Sequence, residues 1–232
     1  MKPQSRYIIH IGINFVIYPC PDVTPQAALA FQGAILAHGL EFTSVAVPEN
    51  KILVVRESPT PLEISVNAIG SQVGQILVVA PNPKRSIDLF IQEAEAAVDA
   101  FLEIWPASNR QVIKSDATIR ELYETTSEHA FKELWENFLK QPSQTLSAFE
   151  RPVRGGGMRF VLEPIPDEPD PAGIEIKIES FLNDTSKFFI ETQFIWPKPT
   201  PPGTLFNVRD RLVRMNEYIE KQIHDFILGE SK

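Results

Sequence analysis

The most basic stretch of the sequence is RPVRGGGMRF, residues 151–160, in which three glycines separate Arg154 from Arg159. Backbone N–H groups of a glycine-rich loop bind phosphate when the loop lies between a strand and the start of a helix. Here a strand-like segment, MRFVLEP, follows the glycines, and no Gly-Lys-Ser/Thr sequence ends the loop. The pattern therefore favours a flexible connector over a phosphate loop. Arg154 and Arg159 are predicted to bind an anion or an acidic surface of a partner.

His10 and Asn14 are the other polar residues whose placement suggests a binding site. They occur in YIIHIGINFVIY, residues 7–18, whose alternation predicts a long strand with one apolar face and one partly polar face. Both residues fall on the partly polar face, where a polar pair on a central strand can line a pocket. A hydrogen-bonded histidine at a sheet edge is the plainer interpretation of the same pattern.

Motifs for metal binding, nucleophilic catalysis and nucleotide binding are missing from the sequence. The four histidines form no H-x-H, H-E-x-x-H or H-x-x-E-H pattern, and neither G-x-S-x-G nor G-x-G-x-x-G occurs. Cys20 lies between two prolines without a catalytic signature around it, which favours a structural role. The sequence therefore predicts no catalytic residue, no metal and no cofactor.

Charge and cysteine content narrow the class of protein. The chain of 232 residues has a net charge of −8 and one cysteine. Nucleic-acid binding is disfavoured, because duplex-binding proteins normally present a basic face to phosphates. A single cysteine excludes an intrachain disulfide and fits the reducing cytosol. No apolar run approaches the ~20 residues that cross a bilayer. These features predict a cytoplasmic protein without a membrane association.

The elements that must position these residues follow from periodicity and from turn and capping residues. After the strand over 7–18, Thr24 and Pro25 predict the start of a helix, and Ser86 predicts the cap of another helix that ends before Pro106. Further strands are predicted over 41–47, 51–57, 62–69, 73–80, 110–114, 158–164, 174–182 and 187–196, and further helices over 118–140 and 207–227.

This order lacks the regular strand–helix alternation of a doubly wound sheet. The short spacing of the strands indicates antiparallel neighbours joined by tight turns. We expect an α+β fold with long helices packed on one face of antiparallel sheet. The chain divides into an N-terminal lobe (1–150), a glycine-rich connector (151–157) and a C-terminal lobe (158–232), or it forms one continuous domain.

The end of the chain resembles a sporadic family of prokaryotic α+β proteins with no assigned activity. The residues that carry the resemblance are FFIETQFIW at 188–196 and NVRDRLVRMNEYIEKQIHDFI at 207–227, a strand with an acidic residue followed by a loop and a long closing helix. The resemblance implies the same arrangement here. It implies no catalytic residues.

Two classes of function remain open at this point. The first is a non-enzymatic protein-binding or assembly module that uses exposed strand edges to pair with a partner or with itself, in the form of an accessory subunit of a prokaryotic complex. The alternative is an enzyme or small-molecule-binding protein with a pocket between sheet and helices near His10.

Overall fold

One antiparallel sheet organises the protein, as seen in a computed structural model that describes residues 1–200 and 206–228. Nine strands of these described residues form the sheet in the order β2-β3-β4-β5-β1-β6-β9-β8-β7. The predicted α+β fold is thereby confirmed. The strands are β1 (Tyr7–Tyr18), β2 (Ser44–Ala46), β3 (Lys51–Arg56), β4 (Leu62–Ile69), β5 (Val73–Pro81), β6 (Gln111–Glu124), β7 (Gly157–Leu162), β8 (Gly173–Ser180) and β9 (Lys187–Trp196).

The first two long helices begin where the capping residues predict. The Thr24 hydroxyl accepts a hydrogen bond from the amide of Ala27, and the Ser86 hydroxyl accepts one from the amide of Leu89. The helices are α1 (Pro25–Ala37), α2 (Ile87–Ile104), α3 (Ala130–Lys132), α4 (Val208–Tyr218) and α5 (His224–Leu228). A π-helical turn (Glu133–Phe138) follows α3, and another (Ile219–Ile223) joins α4 to α5. We call α4, this second turn and α5 together the closing helix.

The helices cover one face of the sheet, which we call the core face; the other we call the open face. Along β1, the side chains of Ile11, Ile13, Phe15 and Ile17 are buried on the core face, where the Phe15 ring contacts that of Phe206. The intervening side chains are partly exposed on the open face. Burial on alternate residues recurs along β5 and β9. Within the described ranges, no helix is both long and apolar enough to cross a bilayer.

The order of elements repeats once along the chain. The first half runs β1, α1, four strands and α2, and the second runs β6, α3, three strands and the closing helix, with β1 and β6 adjacent at the centre of the sheet. In the first half the 13-residue α1 packs on the end of α2 through Phe31 and Trp105. At the matching position the second half has the 3-residue α3 and a π-helical turn. At this point of the order, the second half therefore has a shorter α-helix than the first half.

The strand β6 shows that the helix predicted over 118–140 was wrong over 118–124, whereas residues 130–138 are helical, in α3 and the π-helical turn after it. Ala117, Ile119, Glu121 and Tyr123 are buried on alternate positions of β6. The charge of Glu121 interrupts the apolar alternation that would have indicated a strand. Pairing with β1 on one side and β9 on the other decides the conformation, because tertiary contacts override local propensity.

The three glycines at 155–157 lie in close contact with neighbouring elements. A methyl group at Gly156 would come 2.8 Å from the ring of Phe131, and one at Gly157 would overlap the carbonyl oxygen of Ile178. Lack of a side chain is thus a packing requirement at these positions. Because β6 pairs with β9, residues from before and after 151–157 share one sheet, and the division of the chain into two lobes stays a prediction.

Candidate functional site

His10 and Asn14 lie on the open face of β1, near the centre of the sheet. The Asn14 amide donates a hydrogen bond to the carboxylate of Asp116 on β6 at 3.0 Å. His10 pairs in register with Arg120 on β6, and Arg120 pairs in register with Glu191 on β9. A site that includes His10 would therefore lie on the open face, and not between sheet and helices as the sequence suggested.

The His10 imidazole is held in its neutral form. Burial lowers the pKa of His10 to about 4, and the charge of Arg120 adds to this effect while Glu191 opposes it. A general base works best when its pKa is near the operating pH. His10 and its charged neighbours therefore do not form a base suited to proton transfer at pH 7.

A ladder of paired charges crosses the open face of the second half. Glu191 accepts hydrogen bonds from Arg120 at 2.6 Å and Lys177 at 2.5 Å, and Glu175 lies 3.5 Å from Lys177 and 2.7 Å from Arg159. The hydrogen bond between Arg159 and Glu175 raises the pKa of the guanidinium and lowers that of the carboxyl. Every charge in the ladder has an opposite charge beside it, and its three cations exceed its two anions by one, so the ladder presents only a weak net positive charge to a ligand.

The structure does not bring the four predicted binding residues together. Arg159 lies on β7, four strands from β1, which is roughly 19 Å at about 4.8 Å per strand. Arg154 lies in the loop before β7 and donates to the carbonyl oxygen of Leu182 at 3.0 Å. His10 and Asn14 share a strand, but both arginines belong to the far edge of the sheet.

Cys20 is partly buried between β1 and α1. Burial raises the pKa of the Cys20 thiol, and the nearby charge of Asp22 raises it further. The thiol is therefore protonated at neutral pH, which disfavours nucleophilic chemistry because the thiolate is the reactive form.

A buried polar cluster that the sequence analysis missed lies under the closing helix. Arg6 donates to the Glu121 carboxylate, and it donates to Glu220 at 2.7 Å. The Tyr123 hydroxyl lies 3.1 Å from the second oxygen of Glu121 and 2.7 Å from Nε2 of His224. Burial raises the pKa of Glu121, although Arg6 opposes this. Glu121 and Tyr123 are 0% exposed, so substrates cannot reach them and the cluster attaches the closing helix to the sheet. Their spacing of two residues was the available signal, and the mistaken helix concealed it.

A second buried polar group joins α4 to the sheet. The Arg211 guanidinium lies over the Trp196 ring, 4.7 Å from its centroid. It donates two hydrogen bonds to Asp170, at 2.8 and 3.2 Å, and another to the Ser115 hydroxyl. Each of the three guanidinium nitrogens of Arg211 donates in these contacts, so this buried cation has a structural role.

An apolar groove runs between the closing helix and strands β7 and β8; we call it the C-terminal groove. It consists of three adjoining concavities of about 380, 300 and 480 Å³. The Phe226 ring packs edge-on against Phe160 at 5.4 Å and against Phe138 at 5.0 Å. The apolar side chains at the centre of the groove are Phe160, Leu162, Ile176, Ile178, Ile223 and Phe226, beside Tyr218 and Gln222.

The two edges of the sheet differ in length and in chemistry. The β2 edge has 3 residues, Ser44–Ala46, whereas the β7 edge has 6, Gly157–Leu162. On β7, Val161 is 65% exposed and Leu162 is 38% exposed. Long apolar edges attract other strands, and natural proteins usually shorten or cover them. The β7 edge, which borders the C-terminal groove, is therefore the candidate functional surface.

Comparisons with known proteins add little to this geometry. No family model and no curated protein matches the sequence. Among solved structures, the chain is similar to DynU16 from the dynemicin biosynthetic locus, at 11% identity and a TM-score of 0.26 over 94% of this chain and 98% of that one. It is also similar to the di-domain ARO/CYC StfQ of the steffimycin pathway, at 9% identity and a TM-score of 0.20 over 93% and 94%. Similarity at this level carries no argument about function.

Proposed function

We propose that the protein is a non-enzymatic binding module that assembles with another protein chain through the β7 edge and the C-terminal groove. The observation that carries this proposal is the position of the exposed, apolar edge strand directly beside an apolar groove. Adding a strand to a sheet edge provides main-chain hydrogen bonds, and pockets beside the edge accept side chains.

The chemistry of the groove supports a protein partner. Its centre is apolar and aromatic, and one end carries Glu163, Glu217 and Lys221 along its rim. An apolar centre with a polar rim is the usual composition of a protein–protein contact. Because the end of the chain resembles a prokaryotic family and the chain has one cysteine, we expect this contact to form in the cytoplasm of a prokaryote. The chain would then be an accessory subunit of a complex.

A small apolar molecule is the second candidate occupant. Concavities of 300 to 480 Å³ lie at the lower end of the range for small-molecule sites. Such a ligand would use the groove without involving the edge of β7, so the two candidates differ in whether Val161 contacts the occupant.

Photo-crosslinking in the native host tests the proposal. A benzophenone amino acid is placed at Val161, and for comparison at Leu29, which is 69% exposed on α1. We expect a protein adduct of defined mass from position 161 and none from position 29. Equal adducts from both positions, or none from position 161, would contradict the proposal. A groove-bound metabolite in native mass spectrometry, without a Val161 adduct, would establish the small-molecule alternative.

A further inference from the structure

We propose that the occupant of the β7 edge is a second copy of this chain, paired antiparallel about a two-fold axis at Val161. This inference rests on the proposed function, because it names the partner of the same surface. The result would be a continuous sheet across two protomers, with both C-terminal grooves meeting at the junction.

Backbone geometry determines which β7 residues can pair outward. The amide of Ser180 donates to the carbonyl of Gly156 at 3.0 Å, so Gly156 is hydrogen-bonded to β8. Hydrogen-bonded and non-bonded pairs alternate along an antiparallel ladder. The backbone N–H and C=O groups of Met158, Phe160 and Leu162 therefore point toward β8. Those of residues 157, 159 and 161 point to the free edge. A two-fold axis at Val161 pairs these outward residues with one another.

The side chains in this register are self-complementary. This register puts Arg159 of one copy, on the open face, opposite Glu163 of the other, at the rim of the groove. Glu163 follows the end of β7 and has no ion-pair partner within the described part of the chain. On the core face, Phe160 lies opposite Leu162 of the second copy, so two groove-lining side chains become contiguous across the junction. Opposite charges and apolar side chains in direct cross-strand pairs each favour the pairing.

Self-complementarity is the argument for a second copy over an unrelated protein. A two-fold contact brings the same patch of each subunit together, so the patch must carry both halves of every interaction. This one carries a cation, an anion and apolar residues in the required order. Moving the axis to Phe160 would put Arg159 opposite Val161, so Arg159 would keep only its contact with Glu175 in its own chain and Glu163 would gain no partner. The register about Val161 is therefore the favoured one.

Disulfide trapping tests the contact and its register. In a Cys20→Ser background, Val161→Cys should give a disulfide-linked dimer under mild oxidation, because facing residues lie about 5.5 Å apart, within the range of a disulfide. Arg159→Cys alone should not crosslink, but it should crosslink when mixed with Glu163→Cys. The control is Val47→Cys, an exposed valine just after the β2 edge.

Charge reversal provides an independent measurement by analytical ultracentrifugation. Arg159→Glu should weaken self-association about tenfold or more, and Arg159→Glu combined with Glu163→Arg should restore it, because the cross-copy pair is re-formed with exchanged signs. Circular dichroism confirms that each variant is folded. The disrupted contact of Arg159 with Glu175 within one chain is not repaired by Glu163→Arg, so restoration reports the contact between copies.

The outcomes separate this inference from the proposed function. Monomeric protein at the highest attainable concentration, or crosslinking of Val47→Cys as fast as Val161→Cys, overturns the second copy. A Val161 photo-adduct with a different protein would then leave the proposed function standing. Rapid self-crosslinking of Arg159→Cys overturns the register about Val161. Absence of any adduct at Val161 contradicts both proposals.

Discussion

The hydroxyl of Tyr123 lies 2.7 Å from Nε2 of His224, which joins the central strand β6 to the closing helix. Burial raises the pKa of Tyr123 and lowers that of His224, so both side chains are neutral at pH 7. The single hydroxyl proton is available to Glu121, which lies 3.1 Å away. We therefore assign the Nε2–H tautomer to His224, with His224 donating to Tyr123 and Tyr123 donating to Glu121.

Replacement of Tyr123 by phenylalanine is expected to destabilise the protein by about 2 kcal/mol, because it leaves the buried Glu121 with one partner fewer and His224 with none at Nε2. Urea denaturation measures the change. The matched control is Tyr7→Phe, which removes an exposed hydrogen bond to Asn82 and should cost under about 0.5 kcal/mol. Equal effects of the two substitutions would show that the cluster does not hold the closing helix.

His10 should make stability depend on pH in the acid range. Its pKa falls from 6.5 to about 4 on folding, so the folded state favours the neutral ring. The resulting stability is fully present above pH 6.5 and is lost as the pH falls through 4. His10→Gln should abolish up to about 3 kcal/mol of this loss between pH 7 and 4. The control is His38→Gln, at an exposed position. An NMR titration of His10 with a midpoint near 6.5 would refute the prediction.

Arg211 and Arg209 are neighbours on α4 with opposite surroundings. Arg211 is 3% exposed and contacts Trp196, Asp170 and Ser115, whereas Arg209 makes an exposed ion pair with Glu95. Arg211→Met should cost about 3 kcal/mol, since it leaves Ser115 and Asp170 without their partner. Arg209→Met should cost under about 1 kcal/mol. Thermal unfolding followed by tryptophan fluorescence measures both; a smaller loss for Arg211 than for Arg209 would contradict the assignment.

Two glycine-to-alanine substitutions should change the stability of the protein in opposite directions. Gly157→Ala would push a methyl group into the carbonyl of Ile178 and separate β7 from β8, whereas Gly33→Ala adds a methyl group to open space on α1. We expect Gly157→Ala to destabilise by about 2 kcal/mol and Gly33→Ala to stabilise by about 0.5 to 1 kcal/mol. Chemical denaturation distinguishes them. A neutral effect of Gly157→Ala would instead support a loosely packed connector at 155–157.

Local patterns predicted most of the elements. Alternation over 7–18 predicted β1, and the Thr24 and Ser86 caps predicted the starts of α1 and α2. The one large error, a helix predicted where β6 runs over 118–124, has a physical cause. The buried positions of β6 include Glu121, and a charged residue at a core position is compatible with a strand only because Arg6 and Tyr123 neutralise it from distant parts of the chain.

The candidate site was predicted only in part. His10, Asn14 and Arg159 do lie on one face of the sheet, but strand order separates the arginine from the other two. The C-terminal groove could not be inferred from any single segment. It is lined by residues of β7, β8 and the closing helix, and these segments are brought side by side only in the assembled fold.

The sequence by itself determined the strands of the hairpins, the two long helices and the α+β class, through the periodicity of its apolar residues and through its capping and turn residues. These features depend on interactions between residues that are close along the chain. Only the tertiary structure decided that β6 is a central strand, that Glu121 is buried beside Tyr123, and that β7 is an edge. Each of these depends on which distant segments pair. That choice is made by the burial of whole faces, which no local pattern records.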